Sequence, residues 1–483
     1  MDGSRQDHAK RWQAGLTVGL IAAAIVGIAW PENRGRLSQS NRPNIVVIMT
    51  DDQDASSMWA MPNVGTLIAQ RGTTFSNSFV STPLCCPSRA TFLTGQYAHN
   101  HGVLTNGDSL GGYIKLDHQN TLPVWLQGAG YRTGHVGKYL NGYGFQVPPT
   151  TIPPGWSEWY GHIGGPYYNY QINANGELRS YGSDPEDYDT DVFAGLAVRF
   201  IERSQDFPGT PFFLFVAFHA PHVLPQTQRP VPAPRHLGRF EDAPLPKPPS
   251  FNEEDVSDKP SWVRVLPPLL PPVVRFITEN YRRKLEALLA VDEAVQDIVA
   301  VLQRIGQLQN TVIIYTSDNG LFKGEHRIPT GKGPLYEEGI RVPLIISAPG
   351  LPQGVTFEPL VVNIDLAPTI AELAGAVPSL QVDGCSLIPL MRNPLTPWRR
   401  DFLLETWLAE KSPIFVGVRT ARYVYMETFV LPRGEQELYD LSSDPFQREN
   451  LIDRRRPDND GERIPPLKKR LEELKTSAGP ACG

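Results

Sequence analysis

The sequence predicts an α/β fold: a large domain with a mainly parallel central sheet flanked by helices, followed by a small C-terminal α+β domain. Short, continuously apolar segments alternate with helical patterns, as in parallel sheets whose strands are buried on both faces. Polar residues stand directly after each of these apolar segments. Beyond about residue 393 the pattern changes to short strands and one amphipathic helix, which predicts the small domain.

Composition limits the class of protein. The 483 residues are 41% hydrophobic and 20% charged, which is typical of a globular chain with a large core. The net charge of -6 provides no overall attraction to nucleic acid, so we expect no nucleic-acid partner. Four cysteines are too few for a disulfide-dense scaffold, and the sequence leaves open whether Cys385 and Cys482 pair.

Residues 1–42 are predicted to be a signal peptide or membrane anchor and its linker. An uncharged run over 14–30 follows three basic residues and precedes a polar stretch. We therefore expect an exported protein that is secreted, periplasmic or on the cell surface, with membrane contact only through this segment if it is not cleaved. The chain has no Asn-x-Ser/Thr glycosylation acceptor, which favours a bacterial envelope or secreted protein. The predicted large domain is 43–392 and the small domain 393–483.

Three apolar segments are predicted strands of the central sheet, and each leads into polar side chains. The segments are residues 44–50, 212–218 and 311–316. The polar residues that follow them are Asp51 and Asp52, His219 and His222, and Ser317, Asp318 and Asn319. Because ligands of open α/β sheets bind outside the carboxyl ends of the strands, we expect these side chains to converge on one site.

Between the second and third strands lies a proline-rich segment, 223–272, that cannot be a central strand or a helix interior. It is either an inert surface loop or the rim of a substrate pocket. The other predicted elements are strands at 344–347, 415–419 and 423–427, and helices at 279–305, at 365–374 and around Leu467, Leu471 and Leu474.

Asp51, Asp52, Asp318 and Asn319 form an all-oxygen donor set. Hard oxygen ligands of this kind suit Ca²⁺ or Mg²⁺ rather than Zn²⁺, which favours His and Cys. Acidic pairs after a strand are also common as turn or capping residues. Their occurrence after two different predicted strands favours a metal site.

The segment Cys85-Cys86-Pro87-Ser88-Arg89 carries the strongest local signal for a nucleophile. Pro87 suits the first turn of a helix that ends at Gly95, so Cys85 is predicted just before a helix N-terminus, where an anion is favoured. Arg89, one turn later, can hold a tetrahedral oxyanion. A structural cysteine pair or a buried thiol would explain neither Pro87 nor Arg89, and adjacent cysteines bridge poorly.

This segment, with Leu93-Thr94-Gly95, resembles the sulfatase motif, in which the first cysteine is converted after translation to Cα-formylglycine. The resemblance extends over about residues 43–451 and implies an alkaline-phosphatase-like fold. Further matching blocks are residues 44–52, 130–138, 221–222, 317–320, 332–343 and 438–445. Within the family, the doubled cysteine and strings such as Tyr167-Tyr168-Asn169-Tyr170 are similar to the N-acetylglucosamine-6-sulfatase branch and its heparan-sulfate relatives.

The resemblance implies a role for each matching residue. One Ca²⁺ would be bound by Asp51, Asp52, Asp318, Asn319 and the formylglycine at position 85. Arg89 would stabilise the formylglycine hydrate and the sulfuryl oxygens. Lys138 and Lys332 would hold the sulfate, and His222 would act as general acid or base near the ester oxygen.

The chain departs from the family pattern at one place. Many arylsulfatases have a histidine two residues after the lysine at 138, and this chain has Leu140 there, followed by Asn141. The usual proton partner of the hydrate is therefore missing, and Asn141 could supply only a hydrogen bond. We expect structural hydrogen-bond roles for His101 and His219.

The implied activity is hydrolysis of sulfate esters through a formylglycine hydrate, with the 6-O-sulfate of N-acetylglucosamine in glycosaminoglycan-type sugars as the expected target. Expected partners are a sulfated sugar or aryl sulfate and a formylglycine-generating or equivalent maturation enzyme. The alternatives are a broader arylsulfatase, a phosphoester or phosphonate hydrolase of the same superfamily, and a non-enzymatic binder of sulfated glycans. Asn319 favours one hard cation over the histidine-rich sites of two-metal hydrolases.

Overall fold

The computed structural model describes residues 42–409, 412–430, 434–452 and 462–482. The predicted signal peptide or anchor therefore lies outside the described residues, apart from Arg42. None of the helices in the described part of the chain combines the length and the apolar character needed to cross a bilayer.

The described residues form sixteen strands and ten α-helices, numbered here in chain order. The strands are β1 (Asn44–Thr50), β2 (Thr73–Phe75), β3 (Ser78–Phe79), β4 (Arg132–Gly137), β5 (Glu158–Ile163), β6 (Gln171–Ala174), β7 (Glu177–Ser180), β8 (Phe212–Ala217), β9 (Thr311–Ser317), β10 (Leu344–Ser347), β11 (Val355–Phe357), β12 (Val361–Val362), β13 (Asp401–Ala409), β14 (Ser412–Thr420), β15 (Tyr423–Thr428) and β16 (Glu435–Asp440). The helices are α1 (Cys85–Thr94), α2 (Ala98–His101), α3 (Leu122–Gly128), α4 (Asp189–Arg203), α5 (Ser261–Arg264), α6 (Pro271–Arg304), α7 (Glu337–Ile340), α8 (Leu366–Ala374), α9 (Ile388–Arg392) and α10 (Ile464–Leu474).

The central sheet has ten strands in the order β11-β2-β10-β9-β1-β8-β4-β5-β6-β7. Its middle five strands, from β9 to β5, run parallel to one another, whereas β10 and β6 are antiparallel to their neighbours. The predicted α/β fold with a mainly parallel central sheet is therefore confirmed.

Helices cover both faces of this sheet, which explains the continuous apolar character of β1. Ile45 and Val47 belong to the hydrophobic cluster that includes Phe92 of α1. Val46 and Ile48 belong to a second cluster, which includes Val291 of α6. Successive side chains of a strand point to opposite faces, so a strand between two helical layers must be apolar at every position.

The helix predicted over 279–305 is longer than expected, and the prediction that 223–272 is irregular throughout is wrong at its end. Helix α6 begins at Pro271, inside the proline-rich segment. Proline is tolerated in the first helical turn because the N–H it lacks would have no partner inside the helix. The short helix α5 also lies within this segment.

The small C-terminal antiparallel sheet, β13 to β16 in order, packs on the main body through a shared hydrophobic cluster. That cluster joins Phe402 and Val418 of the small sheet to Phe79 and Tyr97 of the large unit. The final helix α10 adds Leu471 and Leu474 to the same cluster, as its amphipathic pattern predicts. The domain boundary at 392/393 stays a prediction.

The C-terminal tail lies against the helix corner that follows α1. The carbonyl oxygen of Ser477 accepts hydrogen bonds from His99 Nε2 (3.1 Å) and Asn100 Nδ2 (3.0 Å). A disulfide joins Cys385 to Cys482 and closes a loop with a sequence separation of 97 residues. The pairing that the sequence left open is therefore present, and it fastens the tail to the large unit.

We predict that Cys385→Ser lowers the free energy of unfolding by about 2–4 kcal/mol, because the bond restricts a long loop in the unfolded chain. Thermal and denaturant unfolding of the purified variant measure the change. The wild-type protein unfolded in the presence of a reductant should lose the same stability. Reductant should then have no further effect on the variant, and a larger additional loss there would contradict this assignment.

Candidate active site

The ends of the parallel strands place the acidic residues side by side. Thr50 of β1 is in register with Ser317 of β9, so Asp51 and Asp318 are neighbours just beyond the sheet. The backbone N–H of Asp318 donates to the Thr50 carbonyl (3.1 Å), and that of Asp52 donates to Asp318 Oδ1 (3.1 Å). The predicted convergence of these carboxylates occurs because the strands that carry them are hydrogen-bonded partners.

Helix α1 carries Cys85 to the same place. Cys85 is the first residue of the helix rather than the residue before it, since the extended backbone ends at Leu84. The helix ends as predicted at Gly95, which has the left-handed φ of 68° that glycine adopts at low cost. Ser88 Oγ donates to the Asp318 carbonyl and accepts from Asn363 Nδ2 (3.0 Å). These bonds tie the first turn of the helix to the end of β9.

Two lysines and an arginine neutralise the carboxylates. Lys138, directly after β4, forms an ion pair with Asp51 through Nζ. Lys332 Nζ lies 2.6 Å from Cys85 Sγ and also forms an ion pair with Asp52. Arg89 is almost fully buried, and its Nε donates to Asp318 Oδ2 (2.8 Å). A buried charge is tolerated when it is paired in this way.

The two terminal nitrogens of the Arg89 guanidinium, Nη1 and Nη2, have different environments. Nη1 donates to the Lys138 carbonyl at 2.9 Å, whereas buried Nη2 makes no hydrogen bond and lies 3.6 Å from Asp51 Oδ2. Arg89 therefore holds its position through Nε and Nη1 and keeps N–H groups available for an oxyanion.

His222 belongs to the same cluster. Its Nε2 is 3.5 Å from Asp52 Oδ2, and its Nδ1 is 2.6 Å from the Val223 carbonyl. Since a carbonyl can only accept, Nδ1 donates that bond and Nε2 is left facing the cluster. Burial lowers the pKa of His222 to about 4, although Asp51 and Asp52 favour its charged form.

The charges set the ionisation of the carboxylates. Burial would raise the pKa of Asp51, but Lys138, His222 and Arg89 outweigh it and hold that pKa well below its usual range. The pKa of Asp52 falls to about 2 for the same reason, with Lys332 the largest opposing charge to burial. Burial and the neighbouring Asp51 raise the pKa of Asp318. Asp51 and Asp52 are therefore ionised at neutral pH.

The unmodified Cys85 is a weak nucleophile in this environment. Burial, together with the charge of Asp51, raises the pKa of the Cys85 thiol to about 12, despite the nearby lysines. At neutral pH the thiol is protonated, and the thiolate is the nucleophilic form. A side chain other than a plain cysteine suits a reactive role at this position.

Two of the predicted oxygen ligands, Asp51 and Asp52, lie in a cluster that also contains Cys85 and His222 but not Asp318. One ligand atom from each of Asp51, Asp52, Cys85 and His222 lies within 4.8 Å of the others. Buried Asn319 Nδ2 donates to Asp52 Oδ1 (2.6 Å), and its Oδ1 accepts no hydrogen bond. A buried carbonyl oxygen without a donor is costly in a folded protein, and ligation to a cation would satisfy it. The carboxylates of Asp51 and Asp52 and the free Oδ1 of Asn319 are donors of the kind that Ca²⁺ takes.

The site opens to solvent on the side of Lys138, Lys332 and His222. The side chains of Lys138, Lys332 and His222 are 15%, 14% and 22% exposed, whereas Asp51 is fully buried. An anionic substrate reaching the cluster would therefore meet the lysines and the histidine before the carboxylates.

The residues without an assigned catalytic role have other partners. Leu140 stands where many arylsulfatases have a histidine. Its side chain is buried in the hydrophobic cluster that includes Phe92 of α1. His101 accepts a bond from the Val103 N–H (3.1 Å) and pairs with Thr91 Oγ1 (3.1 Å), which fits the structural role predicted for it. Asp54 forms an ion pair with Lys323 (3.2 Å), a contact that sequence reasoning missed.

Sequence reasoning also missed the residues that support the site from distant parts of the chain. Asn363 lies 275 residues from Ser88, and Tyr167 donates to the carbonyl of His222 from 55 residues away. Tyr167 was visible only as part of a string that resembles one branch of the family. No local pattern around Asn363 distinguishes it from a helix-capping residue.

Comparison with known proteins identifies the family. The Sulfatase family model matches residues 43–376, and the model described as N-sulphoglucosamine sulphohydrolase, C-terminal, matches residues 324–477. The chain is 38% identical to human N-acetylglucosamine-6-sulfatase over 386 residues, which cover 77% of this chain and 68% of that protein. It is 37% identical to a Caenorhabditis elegans Sulf-1 homologue and spans about half, 52%, of that relative's length.

The solved structures agree with this relationship. The structure of BT4656 in complex with its substrate D-glucosamine-2-N,6-O-disulfate superposes with a TM-score of 0.75 at 28% sequence identity. The superposition covers 90% of this chain and 97% of that one. The chain therefore belongs to the sulfatase family and is by that membership a sulfuric ester hydrolase.

Proposed function

We propose that this enzyme removes 6-O-sulfate groups from N-acetylglucosamine in glycosaminoglycan-type sugars, using a formylglycine at position 85 and one bound calcium ion. The observation that carries the proposal is the convergence of Cys85, three cations and three buried carboxylates at one edge of the sheet. The names of the human relative and of the BT4656 ligand support the choice of a glucosamine 6-sulfate.

The cations would bind the sulfate ester. Lys138 and Lys332 stand at the open side of the cluster, and Arg89 points unused N–H groups toward Asp51. A sulfate ester carries one negative charge spread over three oxygens, so several positive donors at fixed positions stabilise both the bound ester and its transition state.

Two groups would complete the site. Cα-formylglycine at position 85 would supply, as its hydrate, one hydroxyl that attacks sulfur and a second whose proton loss releases sulfate. Calcium, held by Asp51, Asp52, Asp318, Asn319 and residue 85, would supply positive charge beside the sulfuryl oxygens.

His222 would act as general acid toward the departing sugar oxygen in its charged form, in which Nε2 carries a proton; Asp51 and Asp52 favour that form against burial. Its Nδ1 is committed to the Val223 carbonyl, so Nε2 is the nitrogen that can exchange a proton with a substrate at the open side. A sugar alkoxide is a poor leaving group, and a positioned acid contributes about 10²- to 10⁴-fold to rates of this kind.

Maturation would precede folding. Cys85 is 1% exposed, so a formylglycine-generating or equivalent enzyme could reach it only in a chain that has not yet closed around α1. Export is consistent with the disulfide between Cys385 and Cys482, because such bonds persist in oxidising compartments.

We predict that the peptide spanning position 85 of the active enzyme carries an aldehyde, and that Cys85→Ala abolishes sulfate ester hydrolysis. Mass spectrometry detects the aldehyde, and initial rates measure the loss. Cys86→Ala is the matched control, since Cys86 is also a buried free cysteine but makes none of the contacts of Cys85. Full activity in Cys85→Ala, or in a sample with only unmodified cysteine, would contradict the mechanism.

We predict that calcium raises the melting temperature of the enzyme. We also predict that Asn319→Ala lowers its calcium affinity by at least about 10-fold, because loss of even an outer-shell partner of a metal ligand causes a decrease of that size. Calorimetric titration with calcium alone measures the affinity without reference to turnover. Asn280→Ala is the matched control, because its Oδ1 is also buried without a hydrogen-bond partner. Equal calcium affinity in all three proteins would exclude Asn319 as a ligand.

The substrate assignment predicts a kcat/KM for N-acetylglucosamine 6-sulfate at least about 10-fold above that for 4-nitrophenyl sulfate, because sugar contacts add transition-state binding. Formylglycine-bearing enzyme assayed on both esters, and on 4-nitrophenyl phosphate, gives the comparison. A preference for the aryl sulfate would indicate a broader arylsulfatase. A preference for the phosphate would indicate a phosphoester hydrolase, and binding of the sugar sulfate without turnover would indicate a lectin.

A further inference from the structure

The backbone of His222 is held by contacts on both sides. Its N–H donates to the His219 carbonyl at 3.0 Å, and its own carbonyl accepts from Tyr167 Oη at 2.7 Å. The side-chain bond from Nδ1 to the Val223 carbonyl depends on the same backbone, because Val223 is the next residue. Whatever moves the 222–223 peptide therefore also moves the imidazole ring.

Tyr167 is held rigidly enough to act as a fixed point. Its side chain is 1% exposed, and its ring stacks on Tyr188 with centroids 5.7 Å apart and planes 7° from parallel. Its carbonyl accepts from the N–H of Asp189 at 3.0 Å, at the start of α4. The Tyr167 hydroxyl thus connects the histidine to a helix that packs on the central sheet.

His219 lies between the tyrosine and the active-site histidine. Its ring centroid is 4.6 Å from that of Tyr167 and 5.4 Å from that of His222. His219 Nδ1 lies 3.4 Å from Asp189 Oδ2, and both side chains are buried. The three rings and the carboxylate form one packed group behind the face of His222 that meets the cluster.

We propose that Tyr167 is a positioning residue that fixes the orientation of the His222 imidazole through its hydrogen bond to the His222 carbonyl, with His219 packing between the two rings. The proposal rests on the proposed function, since it assigns a purpose to the position of the acid. Beyond His222 the chain enters the long segment that precedes α6, where regular structure is sparse. The Tyr167 hydroxyl connects the His222 carbonyl to the start of α4, which packs on the central sheet.

The expected size of the effect follows from geometry. A proton donor must lie within hydrogen-bond reach of the leaving oxygen, and misplacement of a reacting group by about 1 Å can cost about 10²-fold in rate. Tyr167→Phe removes one hydroxyl and keeps the ring stacking. We therefore expect Y167F to lower kcat for N-acetylglucosamine 6-sulfate by about 10-fold, with KM changed less than about 2-fold.

The matched control is Tyr170→Phe. Tyr170 belongs to the same string of tyrosines, is buried and stacks on another tyrosine, Tyr181, but its hydroxyl makes no hydrogen bond. Y170F should match the wild-type kcat. An equal loss of kcat in Y170F would show that any disturbance of the tyrosine group slows the enzyme, and would overturn the specific role of Tyr167.

A double-mutant cycle separates positioning from a general structural effect. If Tyr167 acts through the His222 side chain, Y167F causes no further loss in a His222→Gln background, measured by single-turnover kinetics at high enzyme concentration. If the same loss appears in both backgrounds, Tyr167 acts elsewhere and the proposal fails. A wild-type kcat in Y167F also overturns it.

Two further results keep the test decisive. If Y167F is not recovered in folded form, as judged by its melting temperature, His219→Ala is the alternative variant. It removes the ring that packs against His222. H219A should then lose kcat in the wild-type background and not in the H222Q background. Absence of sulfate ester hydrolysis by the formylglycine-bearing wild-type enzyme would instead refute the proposed function, a result distinct from failure of the cycle.

Discussion

The mutual neutralisation of buried charges at the carboxyl edge of the sheet is the constraint on which the rest of this molecule depends. Asp51, Asp52 and Asp318 stand within a few ångströms of one another because their strands are neighbours. Carboxylates buried together in this way could not remain ionised away from water without cations beside them. Lys138, Lys332 and Arg89 come from three further parts of the chain, so the cluster exists only when those parts are in place.

This dependence couples folding to the site. Removing one partner from a buried ion pair costs about 3–5 kcal/mol, because the other charge is left uncompensated. Neutral hydrogen bonds place α1: Ser88 Oγ donates to the Asp318 carbonyl just after β9, and Asn363 Nδ2 donates to Ser88 Oγ. The structure therefore holds Cys85 beside the carboxylates through the contacts that also close the core.

The small C-terminal sheet supports the surroundings of α1. Its hydrophobic cluster is continuous with Phe79 and Tyr97, which stand on either side of α1 in the sequence. The tail beyond α10 reaches the corner after α1, where Ser477 binds His99 and Asn100 and a disulfide closes the loop. The end of the chain thus stabilises the surroundings of the helix that carries the nucleophile.

Much of the site could be predicted from the sequence because its signals are local. A continuous apolar run marks a strand buried on both faces, and the acids after it must stand at the sheet edge. The motif around Cys85 predicts a helix start, an anion site and, by resemblance, the family. The start of α6 could not be predicted from the sequence. It lies at Pro271 in the proline-rich segment, and proline in the first turn of a helix has the same local pattern as proline in a loop.

The sequence alone thus determined the residue types of the site, the parallel sheet beneath them and the family. Only the tertiary structure decided which side chains pair, that Asn319 Oδ1 lacks a donor, that Cys385 bonds to Cys482, and that Tyr167 holds the carbonyl of His222. The physical reason is the range of each interaction. The apolar pattern of a strand and the capping signals of a helix lie in residues close in the chain, whereas ion pairs and hydrogen bonds across the core join residues whose proximity exists only after folding.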